Sequence, residues 1–259
     1  KQIFTVGRCQ RVTWGLKYRG SHSSTRGLTI ANIEGRDTLP VIDSKTAAAG
    51  TKHGTYYFGY RLEEKRIIVT ISLFRDSLAN FRSAIRDLAA WLDPRNGPGE
   101  LIFDDEPDKK YFAVVTGNTD FEGIFAKRTA EIEFLCSDPF AYSITESSAT
   151  ISNDSSTIYN PGTAEAFPII TVDFLASATE LKIEKSTNEF IRIVRDFVAG
   201  DEVVINCQVG TITYNGISSL ITALDINSNF FSLNPGDTTL TVTPNGVSAI
   251  SLVYVRRWL

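Results

Sequence analysis

A chain of 259 residues, 42% hydrophobic and 22% charged, can bury a sizeable core, which excludes wholesale disorder and leaves room for two domains. Its 26 basic and 30 acidic residues give a net charge of −4, so composition makes no case for phosphate-driven nucleic-acid binding. No apolar run approaches the roughly 20 residues that span a bilayer, and residues 1–6 lack the apolar core of a signal peptide, so membrane insertion is not expected.

In chain order, residues 27–30 read as a short strand. Residues 44–52, with Ala47, Ala48, Ala49 and Gly50, show no clear period and are expected to form a loop or arm. Residues 54–60 place Tyr56, Tyr57, Phe58 and Tyr60 between glycines as an aromatic strand, with one face expected in the core. Residues 66–73 are rich in β-branched side chains and form the next strand. One segment is helical. Between 77 and 92, Leu78, Phe81, Ile85, Leu88 and Leu92 recur at spacings of three and four, on one helix face, with Trp91 beside the stripe. Asp76 or Ser77 can cap its start, and Asp93-Pro94 followed by Gly97-Pro98-Gly99 ends it. The opposite face carries Arg82, Arg86 and Asp87 and is expected in solvent or against a partner.

Residues 101–103 form a strand, an acidic turn follows with Asp104, Asp105, Glu106 and Asp108, and residues 111–115 return. Catalytic carboxylate pairs face each other about 5–10 Å apart across a cleft, and calcium loops alternate their ligands around a glycine. Neither pattern is met, so a solvated hairpin turn is expected, with an inter-subunit contact to Arg or Lys as the alternative. After Gly117-Asn118, residues 131–134 alternate as a strand and 136–142 form a hinge.

Composition changes near Ser143. Residues 147–163 are dominated by Ser, Thr, Asn and Gly and read as a linker, with Asn160-Pro161-Gly162 a strong turn. Short strands follow at 168–174, 181–185, 190–194, 202–207, 211–214, 230–233, 238–242 and 249–256, separated by turns such as Asn215-Gly216 and Asn234-Pro235-Gly236-Asp237. Strands punctuated this often, without a helix, indicate an antiparallel β-sandwich.

Cys9, Cys136 and Cys207 are odd in number and far apart, which fits ordinary thiols of a protein made in a reducing cytosol. His22 and His53 are the only imidazoles and no Cys-x-x-Cys pair occurs, so no zinc site is expected. Trp14, Trp91 and Trp258 are scattered, and the latter two read as packing anchors. The chain contains no Met, even at position 1, and is therefore expected not to be a complete primary translation product.

Several of these segments, in this order, resemble one family. They are Tyr18-Arg19-Gly20-Ser21-His22 with Gly27-Leu28, then Gly54-Thr55-Tyr56-Tyr57-Phe58, the strand at 67–73, and Leu88-Ala89-Ala90-Trp91-Leu92. Next come Leu101-Ile102-Phe103-Asp104-Asp105-Glu106-Pro107-Asp108 with Tyr111, then Glu133-Phe134 and Cys136-Ser137-Asp138-Pro139-Phe140. Asn160-Pro161-Gly162 with Pro168-Ile169-Ile170, Phe231-Ser232-Leu233-Asn234-Pro235-Gly236 and the ending Arg256-Arg257-Trp258-Leu259 complete the set. The ordered set resembles the distal tail proteins of siphophages. Residues 1–14 extend beyond the family's usual start, and Lys52-His53-Gly54 stands where an acidic residue is commoner, without the usual proline before Gly50.

The resemblance implies a mainly β protein with an N-terminal ring-forming domain over 1–142, β-rich with one α-helix. It implies a C-terminal galectin-like antiparallel β-sandwich over 143–259. It further implies a homo-hexamer in the phage virion, assembled in the host bacterial cytoplasm, joining the major tail tube protein to the tail-tip or baseplate protein. Phage DNA would pass through its lumen without specific binding. No enzymatic activity, catalytic residue, cofactor or metal is expected. The alternative is a carbohydrate-binding adsorption module whose C-terminal sandwich takes a host-surface glycan. Expected interface residues are Tyr56, Tyr57 and Tyr60 on the aromatic strand, Arg82 and Arg86 on the helix, and Asp104, Asp105, Glu106 and Asp108 in the acidic turn.

Overall fold

The computed structural model describes residues 15–48, 50, 53–75, 77–117, 129–151, 155–185 and 189–259. Expectations for residues 1–14 (Cys9 and Trp14 among them), Ala49, Lys52, Asp76 and Asn118 lie outside those residues. The fold is mainly β and divides into two units, Lys1–Pro139 and Phe140–Leu259.

The first unit contains β1 (Leu16–Tyr18), β2 (Ser21–His22), β3 (Leu28–Glu34), β4 (Ile42–Ala48), β5 (Thr55–Leu62) and β6 (Lys65–Leu73). Helix α1 (Leu78–Trp91), β7 (Gly99–Phe103), β8 (Glu106–Thr116) and β9 (Thr129–Cys136) follow. A sheet runs in the order β2-β1-β7-β8-β9-β6-β3. Strand β6 alternates strictly and buries Ile67, Val69, Ile71 and Leu73. Phe134, Ile132 and Ala130 of β9 stand opposite the first three and are buried on the same face.

Helix α1 starts after Ser77, which keeps extended backbone geometry and accepts a hydrogen bond from the Asn80 N–H at 3.2 Å. Phe81, Leu88 and Leu92 are buried as the spacing predicts, Ile85 is half-buried, and Trp91 beside the stripe is buried as well. Leu78 is the exception: the first turn leaves it 49% exposed. Trp91 fixes the helix to β1, since its Nε1–H donates to the Tyr18 carbonyl at 3.0 Å and its ring meets Tyr18 edge-on at 5.9 Å.

Three expectations fail in this unit. Residues 44–48 belong to strand β4, which pairs with β5 in a separate two-stranded hairpin. Alternation marks a strand only when one face is buried, and here both faces meet solvent. For the same reason β5 has no core face. The acidic turn is also shorter than expected: Phe103 pairs with Glu106, so only Asp104 and Asp105 turn the chain.

The second unit contains β10 (Ala141–Ser143), β11 (Ser147–Ile151), β12 (Ser155–Asn160), β13 (Ile169–Phe174), β14 (Ala178–Lys185) and β15 (Glu189–Phe197). It continues with β16 (Glu202–Asn206), β17 (Thr211–Tyr214), β18 (Ser218–Ser219), β19 (Gly236–Thr243), β20 (Ser248–Tyr254) and β21 (Arg257–Trp258). Two antiparallel sheets, β11-β20-β13-β16-β17-β18 and β12-β19-β14-β15, enclose one apolar core. Phe174 of one sheet stacks on Phe197 of the other with centroids 4.2 Å apart. The β-sandwich expected from the turn spacing is therefore present.

Strands β11 and β12 run through the stretch that reads as a linker. Both are edge strands, and only Ile151, Ile158 and Asn160 of their residues are buried, so short polar side chains conceal them. Residues 230–233 are the converse case. They form no regular strand, only the bridge between Ala166 and Leu233, and Phe231 and Leu233 are apolar because they fill the core. Trp258 is half-buried beneath the Arg256 guanidinium at 5.7 Å. Cys136 and Cys207 are free, buried thiols. Burial pushes each up to about 12, so neither is a thiolate at neutral pH.

The turn at Asn160 shows how the sandwich closes. Its buried side-chain amide donates to the carbonyls of Ala164 and Leu233, each at 3.0 Å, and its Oδ1 accepts from the Gly162 N–H at 3.0 Å. Asn160→Ala strands the Gly162 N–H and the Ala164 carbonyl, while the Leu233 carbonyl keeps its bond from the Ala166 N–H, and about 2 kcal/mol of stability is the expected loss in urea titrations.

Candidate assembly surface

The hairpin of β4 and β5 leaves the sheet between β3 and β6, and its root is built from charged residues that the fold buries. Gly35 turns the chain out of β3 with φ 82, and a Cβ there would stand 2.1 Å from the Arg66 carbonyl oxygen, so only glycine passes. Arg36 follows, with its side chain only 8% exposed. Its Nη1 donates to Asp105 Oδ1 at 2.6 Å, its Nε to Asp37 Oδ1 at 3.0 Å, and its plane covers the Phe103 ring at 5.1 Å. The hydrogen bond between Arg36 and Asp105 is the main cause of a raised Arg36 pKa and holds the Asp105 carboxyl below the usual range. On the returning strand Lys65 is buried over the Tyr111 ring at 5.7 Å. Burial lowers the Lys65 pKa and pushes the Tyr111 hydroxyl up to about 12. A hydrogen bond from the Glu63 N–H to the Val41 carbonyl at 2.8 Å closes the base.

Beyond this root the arm is apolar and uncovered. Tyr57, Phe58 and Tyr60 are 62, 73 and 64% exposed, and Tyr56, Leu39, Val41 and Ile42 are exposed with them. Among the described residues, β4 and β5 pair only with each other. A lone two-stranded hairpin is marginal in water, and an apolar patch of this kind marks an interaction site.

The other residues expected at an interface are placed differently. Arg82 and Arg86 lie on the exposed face of α1. The acidic turn is an exposed hairpin turn, and it is also tied to other parts of the unit. Asp104 meets His22 Nε2 at 3.0 Å, Asp105 holds Arg36, and Glu106 accepts from Lys109 Nζ at 2.6 Å. Asp108 is exposed. Arg36 and His22, partners of the turn, carry no local sequence signal because they stand 69 and 82 residues away from it. Among the described residues no group of three or more His, Cys, Asp or Glu is placed to hold a metal ion.

Comparison with known proteins defines the class. A model of the phage tail protein RIFT-related domain matches residues 23–136, and a model of the C-terminal domain of siphovirus-type tail components matches residues 161–258. The distal tail protein of Bacillus phage SPP1 is 26% identical over 212 residues, which are 80% of this chain and 82% of that protein. The crystal structure of the SPP1 Dit protein aligns over 95% of this chain and 99% of its own, with TM-score 0.79 and 21% identity, and so has the same fold. A chain of the phage P2 baseplate in its activated conformation with calcium aligns over 93% of this chain and 97% of its own, at TM-score 0.45 and 11% identity, too distant to argue from. The matched models are those of phage tail components, one for each half of the chain. The chain belongs to the distal tail protein family of siphophages.

Proposed function

We propose that this chain is a structural hub subunit at the distal end of a siphophage tail, six copies of which close into a ring. The observation that carries this is the uncovered aromatic arm on a buried, charge-tied root. An arm presented in this way is suited to a neighbouring subunit, and a heterologous contact repeated by rotation closes a ring. The domain over 1–142 forms the ring. Arm residues Tyr57 and Tyr60 carry the contact, and Arg82 and Arg86 contribute a charged rim, where each ion pair adds only about 0–1 kcal/mol unless it is desolvated.

The ring joins the tail tube protein to the tail-tip or baseplate protein, and phage DNA passes through its centre. The role is structural rather than catalytic. It agrees with the SPP1 relative, whose structure is described as a paradigm of the hub adsorption apparatus in phages that infect Gram-positive bacteria. Light scattering on a sizing column tests it. The expected mass is about 172 kDa, six times the 28.6 kDa of one chain, and a monomer at every concentration would contradict it.

A further inference from the structure

The arm has two chemically different faces. Ile42 stands opposite Leu62 and Ser44 opposite Tyr60 on one of them, while Asp43 opposite Arg61 and Lys45 opposite Gly59 occupy the other. Past Lys45 the register shifts: Phe58 is left unpaired, and Tyr57 comes opposite Thr46. This β-bulge returns Tyr57 to the face of Ile42 and Tyr60, and leaves Tyr56, opposite Ala47, on the charged face. In a regular strand Tyr57 and Tyr60, three residues apart, would point to opposite sides. Gly59, at φ 123, supplies the backbone conformation that the bulge requires. The device gathers Ile42, Tyr57, Tyr60 and Leu62 onto one side.

The same unit carries a counterpart. Between α1 and the sheet lies a cleft of about 310 Å³, lined by the apolar Leu28, Leu73 and Leu88, by Arg26 and Arg75, and by the carboxylate of Asp87. Phe74, 71% exposed, sits between Leu73 and Arg75, and Leu78 opens the helix that walls the cleft. Apart from the arm and its root, Phe74, Leu78 and Phe112 are the exposed large hydrophobics among the described residues of this unit. The chemistry suits a phenol: apolar walls for the ring and cations for its face or hydroxyl.

We infer that the Tyr57–Tyr60 face of one copy docks in this cleft on a second copy. The arm departs at the Lys65 end of β6 and the cleft opens at the Leu73 end, roughly 30 Å apart for a nine-residue strand. A giving surface and a receiving surface at opposite ends of one strand make a head-to-tail pair, the requirement for a heterologous ring contact. The inference rests on the ring assembly proposed above and specifies its contact.

Complementation between two defective copies tests it. Tyr60→Glu spoils the giving face and Asp87→Trp, which fills the cleft, the receiving one. Both side chains are exposed, so each variant is expected to keep the wild-type circular dichroism spectrum and unfolding midpoint. Each alone is expected to run as a 28.6 kDa monomer, while an equimolar mixture gives a heterodimer of about 57 kDa, twice that mass. The Asp87→Trp copy still has its arm, and the Tyr60→Glu copy still has its cleft. Tyr56→Glu, on the charged face, is expected to leave the ring mass unchanged. A wild-type ring with no heterodimer in the mixture, or with Tyr56→Glu as damaging as Tyr60→Glu, overturns the docking and leaves the ring standing. A monomeric wild type overturns both.

Discussion

Tyr18→Ala is expected to lower the stability of the first unit by about 3–5 kcal/mol. Tyr18 is fully buried where β1, β9 and α1 meet. Its ring lies edge-on to Phe134 at 5.1 Å and to Trp91 at 5.9 Å, and its hydroxyl donates to the Ala113 carbonyl at 3.2 Å. Truncation opens an aromatic-sized cavity that the sheet cannot collapse around, because the neighbouring strands are held by their ladders. Burial raises the Tyr18 pKa, so the hydroxyl stays a donor throughout the neutral range. Tyr18→Phe keeps the ring and is expected to lose about 1 kcal/mol. Urea unfolding followed by tryptophan fluorescence checks both. A loss below about 1 kcal/mol for Tyr18→Ala would show that the helix is not anchored through this residue.

Arg36→Met is expected to cost about 2–3 kcal/mol, somewhat below the range for fully buried pairs because the Asp105 side chain is 30% exposed. The same pair predicts a pH dependence. Asp105 has a depressed pKa in the folded state, chiefly through its hydrogen bond to Arg36, so the unfolded chain takes up its proton first as pH falls. Its contribution is complete above the ordinary carboxylate value of about 4 and is lost as pH falls through the lower folded value. Asp105→Asn should therefore show a shallower loss of stability between pH 5 and pH 2 than the wild type, from a lower starting point. Equal slopes in the two proteins would remove Asp105 as the group responsible.

The elements that sequence makes legible are those with one buried face. Phe81 and Leu88 mark α1 at helical spacing, and Ile67, Val69 and Ile71 mark β6 at strand spacing, because in each case water is on one side only. Strand β4 gives no such signal, since nothing covers either of its faces in a single copy. Strands β11 and β12 hide among serines and threonines at sheet edges, and the segment around Phe231 imitates a strand by being buried.

The candidate surface divides the same way. Exposed aromatics in β5 are visible as a composition anomaly. Their gathering onto one side depends on a bulge, and a bulge is a property of pairing rather than of either strand alone. The tie between Arg36 and Asp105 joins residues 69 apart and becomes visible only once the sheet has formed.

The most direct test of the ring is electron microscopy of the purified chain in negative stain, with averages computed without imposed symmetry. Six-fold rings with an open centre are the predicted result. Compact particles lacking a central opening, or closed assemblies of another symmetry, would contradict the proposal that this arm builds a hexameric tail hub.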